Sequence, residues 1–315
     1  MGTFTQLVER DFAELAAAFG LPPVTEHRAI EAGTINSNFQ IVAARPYFLR
    51  INEGKCEEDV AYEASLVVAF AAAGVPTPAP LVARDGRCYA ALGGKWVSAF
   101  AWRPGHHLDE ITPAIAHALG AALARLHVVG LDLPGRRSIY DHAHLLTRFR
   151  GFESSTDPQL THAIHVLREE LAHAAVSSSI RAAATHGIIH GDLFRDNVLW
   201  ESEEIVAILD FEQASSGSLA YDLAVCLNDW AWTGELRFDL VGPMLDGYQS
   251  IRPLPAADRA ALVIEVRAAA TRFTITRITD VYLARVPNPE KDFRAFLARV
   301  EAWRGHALGQ LSSLL

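Results

Sequence analysis

The segment from His190 to Asp210 constrains the fold of this chain most, because its pattern predicts a tight hairpin with polar side chains gathered at one end. Two apolar, β-prone runs flank a short acidic turn, as in a pair of adjacent strands. Folding about that turn places Asn197 roughly opposite Ile208, and Asp210 diagonal to Asn197 on the same face, because strand side chains alternate. The loop before Asn197 carries Asp192 at the same end. The sequence therefore predicts that two carboxylates and one amide converge.

All three converging side chains offer oxygen atoms, the ligands that Mg²⁺ prefers, and a carboxylate can also polarise a hydroxyl group. An Asp followed five residues later by an Asn, with a second Asp after the next strand, is the catalytic-loop spacing of kinase-like phosphotransferases. The alternative is that each residue only caps a turn, the commonest role of Asp and Asn near loops. Capping explains any one of the three but not their meeting, so the pattern favours phosphoryl transfer.

Composition and charge limit the classes of function. The chain has 315 residues, half of them hydrophobic, and a net charge of −9, so a general affinity for nucleic acid or for an anionic membrane is not expected. Its three cysteines, Cys56, Cys88 and Cys226, are far apart and match no metal-site spacing. The most apolar run, 64–83, is broken by one glycine and three prolines, and the first residues have no signal-peptide pattern. We therefore expect a cytoplasmic protein with reduced thiols.

The pattern of predicted elements changes after the first hundred residues. Those residues mostly alternate strands and turns, including a hairpin over 81–92. From Thr112 onward helices dominate, and one long helix is predicted over 256–285. We therefore predict an α+β, bilobal, protein-kinase-like fold, with a β-rich nucleotide-binding lobe at 1–103 and a mostly helical catalytic and acceptor-binding lobe at 104–315.

The turn at 33–38 lies between two predicted strands, where a kinase would cover the nucleotide phosphates. It has a single glycine and so lacks the glycine-rich pattern, but Asn36, Ser37 and Asn38 can present donors to phosphate oxygens. An Asn-rich β-turn without any such contact explains the segment equally well. These three residues are therefore candidate ATP-binding residues.

Further candidates for the nucleotide site are a cation and a carboxylate in the same lobe. Arg50 lies in the third predicted strand and Glu63 in the following helix, in the order in which a kinase places its phosphate-binding cation and that cation's partner. Arginine here replaces the usual lysine, which keeps the charge on a longer, forked side chain. The alternative is an exposed Arg and an unrelated Glu. By position alone, the extended segment with Ser98, Phe100 and Trp102 would be the hinge that receives adenine.

The motif His190-Gly191-Asp192-Leu193-Phe194-Arg195-Asp196-Asn197, together with Leu209-Asp210-Phe211-Glu212, resembles the aminoglycoside phosphotransferase/choline kinase superfamily. Within it, the chain is most similar to bacterial homoserine kinases of the kinase-fold type. That closer likeness rests on motifs spread over nearly the whole chain: Gly33 to Phe39, His190 to Trp200, Tyr221 to Ala224, Leu227 to Trp230, Gly247-Tyr248, Arg272-Phe273 and Thr276-Arg277.

The resemblance implies an ATP- and Mg²⁺-dependent kinase that phosphorylates the hydroxyl group of a small molecule, with homoserine as the acceptor and threonine biosynthesis as the setting. It implies that Asp192 orients or deprotonates the acceptor hydroxyl, and that Asn197 and Asp210 bind Mg²⁺. It also implies that Arg50 contacts the nucleotide phosphates, with Glu63 as its partner. A monomer and a homodimer fit the sequence equally.

Two further residues are expected to support the catalytic loop. The resemblance implies that Asp222 accepts hydrogen bonds from the loop backbone, while His190 suits a structural hydrogen bond better than Mg²⁺, which prefers oxygen. The segment after Asp210 lacks the glycine of the protein-kinase Asp-Phe-Gly motif and reaches a predicted helix at Ser218, which leaves no room for a long peptide-binding segment. A small-molecule acceptor therefore fits better than a protein.

The acceptor pocket is expected on two C-terminal helices. Asp229 and Trp230 lie on one of them, and Arg272 and Arg277 on the other. Arg272 or Arg277 could clamp the carboxylate of an amino-acid acceptor, and Asp229 its ammonium group. A buried ion pair and a core tryptophan are the alternative. An aminoglycoside, choline or another amino alcohol is a rival acceptor, and a nucleotide-binding pseudoenzyme is a rival class.

Overall fold

The structure, a computed structural model, describes residues 5–30 and 35–315. It divides into two compact units. The first comprises the described residues up to His106 together with Leu199–Glu201 and Val206–Glu212, and the second comprises His107–Val198, Ser202–Ile205 and Gln213–Leu315. The chain thus changes unit close to residue 103, and most of the motif hairpin belongs to the first unit.

The first unit is built on a five-stranded antiparallel sheet with the strand order β1-β2-β3-β5-β4. Its strands are β1 (Glu26–Ile30), β2 (Ser37–Ala43), β3 (Arg45–Asn52), β4 (Ala90–Leu92) and β5 (Lys95–Ala101), and its helices are α1 (Glu9–Ala18) and α2 (Glu57–Ala72). Along β2 the side chains of Phe39, Ile41 and Ala43 are buried in alternation, and they share a core with Phe12 and Leu15 of α1. This alternation fixes the register of the sheet.

The hairpin predicted over 81–92 is wrong in its first strand. Strand β4 pairs with β5 instead, and the N–H of Leu81 donates to the carbonyl of Ala99 at 2.7 Å as an isolated contact. The neighbouring Pro80 has no N–H to donate, so this segment does not continue as a regular ladder.

The second unit is mainly helical. Its helices are α3 (Pro113–Gly130), α4 (His142–Arg150), α5 (Thr161–Val176), α6 (Ser178–Ala183), α7 (Leu219–Trp230), α8 (Phe238–Ile251), α9 (Ala256–Arg277), α10 (Phe293–Arg304) and α11 (Ala307–Leu314). The prediction of a β-rich first part and a helical second part is confirmed. The helix predicted over 256–285 is wrong beyond Arg277, where α9 passes into a π-helical turn over Ile278–Tyr282.

Two short strand pairs frame the motif loop. Strand β6 (His186–Ile189) pairs antiparallel with β9 (Ser215–Ser218), and β7 (Val198–Glu201) pairs with β8 (Glu204–Ile208). The predicted hairpin is therefore confirmed as β7 and β8, whereas the sequence does not predict the β6–β9 pair. A 3₁₀ turn over Arg195–Asn197 leads from the loop into β7.

Helices α3 and α8 pack at backbone contact because each has a glycine where they meet. A Cβ atom at Gly120 of α3 would lie 2.1 Å from the carbonyl oxygen of Met244, and one at Gly247 of α8 would lie 2.0 Å from that of His117. Among the described residues, α3 is also the one helix long and apolar enough to cross a membrane, and 61% of that stretch is buried inside the fold. Its close packing with α8 makes it a core helix here.

Gly247→Ala is expected to destabilise the protein by about 3 kcal/mol or more, because the new methyl group would force two helix backbones apart. The matched control is Gly309→Ala in α11, where an added Cβ meets no atom within 4 Å and should stabilise by roughly 0.5–1 kcal/mol. Urea unfolding measures both. Equal stability of the two variants would contradict the close approach of α3 and α8.

Candidate active site

The first unit brings Arg50, Glu63 and Asp210 together. Strand β3 carries Arg50 and α2 carries Glu63, and a guanidinium nitrogen lies 2.5 Å from a Glu63 carboxylate oxygen, with both side chains buried. Another guanidinium nitrogen lies 3.5 Å from an Asp210 oxygen. Lys55 joins the network, 3.3 Å from Glu63 and 3.0 Å from Glu212. Burial alone would raise the pKa of Glu63, but the charges of Arg50 and Lys55 outweigh it and lower the pKa. The carboxylate therefore stays ionised.

Asp210 has an uncommon backbone conformation and a carboxyl group with a raised pKa. Its φ of 60° lies in the left-handed region, which aspartate tolerates better than most residues. Burial and the neighbouring Glu212 carboxylate raise the pKa of Asp210 to about 7, against the opposing charge of Arg50. A divalent cation would relieve the repulsion between the two acids, so this donor set fits Mg²⁺.

The candidate residues of the phosphate-covering turn make contacts inside the first unit. Asn36 donates to Glu212 at 3.0 Å, and Ser37 donates to Glu53 at 2.6 Å. Asn38 lies opposite Arg50 of β3 in the strand register. The glycine and the threonine that begin the predicted turn lie outside the described residues. The described half of the turn is therefore tied to the same charged network as the candidate metal ligand.

Two of the predicted hinge residues, Ser98 and Phe100, lie on β5, next to the strand that carries Arg50. Ser98 lies directly opposite Arg50 in the register. Ser98, Phe100, Arg50 and Glu63 line one narrow pocket of the first unit. Trp102 comes just after the end of β5 and is partly buried.

In the second unit, Asp222 holds the loop that carries Asp192. It lies in the first turn of α7 and is fully buried. Its carboxylate accepts hydrogen bonds from the backbone N–H of His190 at 2.7 Å and from that of Gly191 at 2.8 Å. A ring nitrogen of His127 lies 3.0 Å from the same carboxylate. Although burial opposes it, the hydrogen bond with His127 lowers the pKa of Asp222. The carboxylate is therefore ionised and its acceptor atoms are directed at the loop backbone.

The other end of α7 holds the same loop. Asp229, seven residues after Asp222, accepts the backbone N–H of Arg195 at 2.9 Å. The Arg195 guanidinium donates to three backbone carbonyls at the end of α7, at distances of 3.0 to 3.2 Å, where a cation also meets the negative end of the helix dipole. The indole N–H of the fully buried Trp230 donates to the carbonyl of Leu193 at 2.9 Å. Asp229 and Trp230, expected at the acceptor, thus both contact the loop that carries Asp192.

Asp192 lies between these two anchors. Burial raises the pKa of its carboxyl group, and the charges of Arg272 and Lys291 oppose that rise. Gln213 donates to one carboxylate oxygen at 3.1 Å, and Arg272 lies 3.8 Å from the other. The amide nitrogen of Asn197 donates to the Asp192 carbonyl at 2.8 Å, so the amide oxygen of Asn197 is the atom that could bind a cation.

The two arginines of α9 have different environments. Arg272 is only 2% exposed, and its guanidinium lies 4.0 Å from the ring centre of Tyr140 and 3.8 Å from that of Phe273. Arg277 is partly exposed and donates to the carbonyl of Asp292 at 3.2 Å. Arg272 therefore acts on Asp192 from inside the protein, and Arg277 is the more accessible of the two arginines.

Comparison with known proteins identifies the family. Residues 26–263 match the model of the phosphotransferase enzyme family. The chain belongs to this family. It is 31% identical over 287 residues to a homoserine kinase of Rhodopseudomonas palustris, an alignment that covers 89% of this chain and 87% of that protein. The chain is thus a phosphotransferase with an alcohol group as acceptor, and a small-molecule kinase.

Solved structures share the fold of this phosphotransferase. An amicoumacin kinase in complex with AMP-PNP, Ca²⁺ and Ami superposes with a TM-score of 0.72 at 15% identity, covering 93% of this chain and 92% of that one. A choline/ethanolamine kinase family protein from Mesorhizobium loti gives a TM-score of 0.67 at 20% identity, covering 98% and 99%. The predicted protein-kinase-like fold is therefore confirmed.

Three residues of this phosphotransferase that hold the catalytic loop or its carboxylate are not predicted from sequence: His127, Arg195 and Gln213. Arg195 lies inside the motif and Gln213 three residues after Asp210, so their positions alone could have drawn attention to them. His127 lies on α3, far from the motif in sequence, and only folding brings it to Asp222.

Proposed function

We propose that this enzyme transfers the γ-phosphoryl group of ATP to the hydroxyl group of L-homoserine, with Mg²⁺ as cofactor. Similarity to homoserine kinases along 89% of the chain supports this acceptor. Within the structure, the proposal is carried by the environment of Asp192, a carboxylate on a loop anchored at both ends with positive side chains around it.

The proposed roles follow from the chemistry of each side chain. Asp192 accepts a hydrogen bond from the acceptor hydroxyl, aligns it for attack and takes up its proton. Arg50, held by Glu63, binds phosphate oxygens of the nucleotide. Asn197 and Asp210 would hold Mg²⁺, which when bound supplies positive charge that offsets the charge of the phosphates. Catalysis of this type depends mainly on positioning and electrostatics.

The charges around Asp192 support an acceptor that carries a carboxylate. Arg272 and Lys291 act on Asp192 with positive charge, the exposed Asp196 acts on it with negative charge, and Arg277 experiences the charge of Asp192 in turn. A polycationic aminoglycoside or choline would meet this positive field, whereas homoserine offers its carboxylate to it. Asp229 uses one carboxylate oxygen to hold the loop and can offer the other to the ammonium group.

A panel of acceptors tests this proposal by ADP production. L-Homoserine is compared with 3-aminopropan-1-ol, which lacks the carboxylate, with 4-hydroxybutanoate, which lacks the ammonium group, and with choline and spectinomycin. We expect the highest kcat/KM for homoserine and a loss of about 10²-fold for 3-aminopropan-1-ol, because a charge-assisted contact disappears. Preference for a cationic acceptor would support the rival kinases, and no acceptor-dependent turnover would support a nucleotide-binding protein.

Arg277→Met is expected to raise the KM for homoserine about 10-fold or more, because it removes a cation from the acceptor side of the loop. The KM for 3-aminopropan-1-ol should change little, and the ratio of the two KM values is the measurement. Arg294→Met, an exposed arginine on α10, is the matched control. An unchanged ratio in Arg277→Met would remove this residue from the carboxylate contact.

A further inference from the structure

Gln213 connects the carboxylate of Asp192 to Arg272. Its side-chain nitrogen Nε2 donates to Oδ2 of Asp192 at 3.1 Å, and its oxygen Oε1 accepts a hydrogen bond from the guanidinium of Arg272. The guanidinium also lies 3.8 Å from Oδ1 of Asp192. The three side chains therefore form a closed triangle in which the amide bridges a cation and an anion.

The neighbours of Gln213 dictate which way its amide points. A guanidinium has only donors and a carboxylate only acceptors, so a flipped amide would set N–H against N–H and oxygen against oxygen. Only one orientation satisfies both partners. The amide of Gln213 must therefore present its N–H to Asp192.

The cation at the base of the triangle is itself fixed. Arg272 is 2% exposed, and its guanidinium lies against the rings of Tyr140 and Phe273 at 4.0 Å and 3.8 Å. The backbone of Gln213 also lies against the catalytic loop, because a Cβ atom at Gly191 would be 3.2 Å from the Gln213 carbonyl oxygen. Gly191 has a φ of 78°, so a side chain there would add backbone strain to the close contact. Gln213 is thus held from both sides.

We propose that Gln213 is a positioning residue: it fixes Oδ2 of Asp192 and leaves Oδ1 to receive the acceptor hydroxyl. A carboxylate rotates over a broad, two-fold torsion about its last bond, and a hydrogen bond to one oxygen removes that freedom. A small misalignment of a catalytic group can cost about 10²-fold in rate. Gln213 has this role only if Asp192 has the catalytic role proposed above.

The test uses Gln213→Met, which keeps the length of the side chain but can neither accept from Arg272 nor donate to Asp192. We expect kcat to fall about 10- to 10²-fold with the KM for ATP unchanged. Gln213→Glu should lose more, because it sets a second carboxylate against Asp192. Gln213→Asn keeps the amide but is one methylene too short to span both partners, so it should lose kcat like Gln213→Met while perturbing the fold less.

Thr274→Val is the matched control for stability. Thr274 is fully buried two residues beyond Arg272 on α9, and its hydroxyl donates to the carbonyl of Ala270 in its own helix. We expect it to lower Tm without lowering kcat. Gln213 variants that lower Tm as Thr274→Val does but keep wild-type kcat would overturn the positioning role.

A double-mutant cycle shows whether Arg272 acts on Asp192 through Gln213 or independently of it. If Arg272 acts on Asp192 through Gln213, Arg272→Met should cost clearly less kcat in the Gln213→Met background than in the wild type. Strictly multiplicative losses, or a Gln213→Met enzyme within about twofold of wild-type kcat, would overturn this inference while leaving Asp192 in place. Near-normal turnover of Asp192→Asn would instead overturn the proposed function itself.

Discussion

Asp192→Asn is expected to lower kcat roughly 10³-fold while ATP binds with unchanged affinity. The substitution keeps the shape of the side chain and removes the charge that, in the proposed mechanism, polarises the acceptor hydroxyl. The nucleotide candidates Arg50 and Glu63 lie in the first unit and are untouched. Steady-state ADP production with homoserine gives kcat, and isothermal titration calorimetry gives the ATP affinity.

The matched control is Asp196→Asn on the same loop. Asp196 is exposed and its charge acts on Asp192 through space, so we expect a much smaller loss of kcat than in Asp192→Asn. Near-normal turnover in Asp192→Asn would remove this residue from catalysis. Equal losses in both variants would mean that the loop tolerates no charge change rather than that one carboxylate reacts.

Arg50→Met is expected to lower kcat/KM for ATP about 10²-fold, because it removes the buried cation that the proposal places against the nucleotide phosphates. Arg50→Lys should recover part of this loss, since it restores the charge on a shorter side chain without the forked contact to Glu63. The effect should appear as a weaker ATP affinity in calorimetry as well as in the kinetics.

Stability must be measured beside activity for this position. Removing Arg50 leaves the buried Glu63 carboxylate with Lys55 as its remaining cation, and a buried charge with an incomplete partner destabilises the fold. Arg28→Met, an exposed arginine on β1 of the same sheet, is the control for both readouts. A variant that binds ATP normally despite a lower Tm would restrict Arg50 to a structural role.

Local patterns in the sequence are sufficient to predict the motif hairpin and the change from a β-rich first part to a helical second part. The strands β7 and β8 follow from two β-prone runs around a polar turn, and Arg50 and Glu63 meet because adjacent elements carry them. The π-helical turn after Arg277 could not be predicted, because no glycine or proline occurs between that residue and Val286.

Long-range contacts explain what the sequence leaves out. Strand β9 has the sequence Ser-Ser-Gly-Ser, which has little strand propensity, and it depends on its partners, β6 and the isolated bridge from Arg137 to Ser216. The charge and position of Asp229 predict that it binds the acceptor, but in the structure one of its oxygens accepts a hydrogen bond from the backbone N–H of Arg195. A backbone donor leaves no mark in a sequence, so contacts of this kind cannot be read from one chain.

Helix α7 fixes the distance between the two ends of the loop from His190 to Arg195. Its two carboxylates, at Asp222 and Asp229, stand about two turns or 10 Å apart on one face, because a helix rises 1.5 Å and turns 100° per residue. One inserted residue between them would swing the second carboxylate roughly 100° away from the loop. The length of the loop must therefore match the spacing and direction of these two carboxylates on α7. An insertion of one residue between the two acids would therefore detach one end of the loop from the helix.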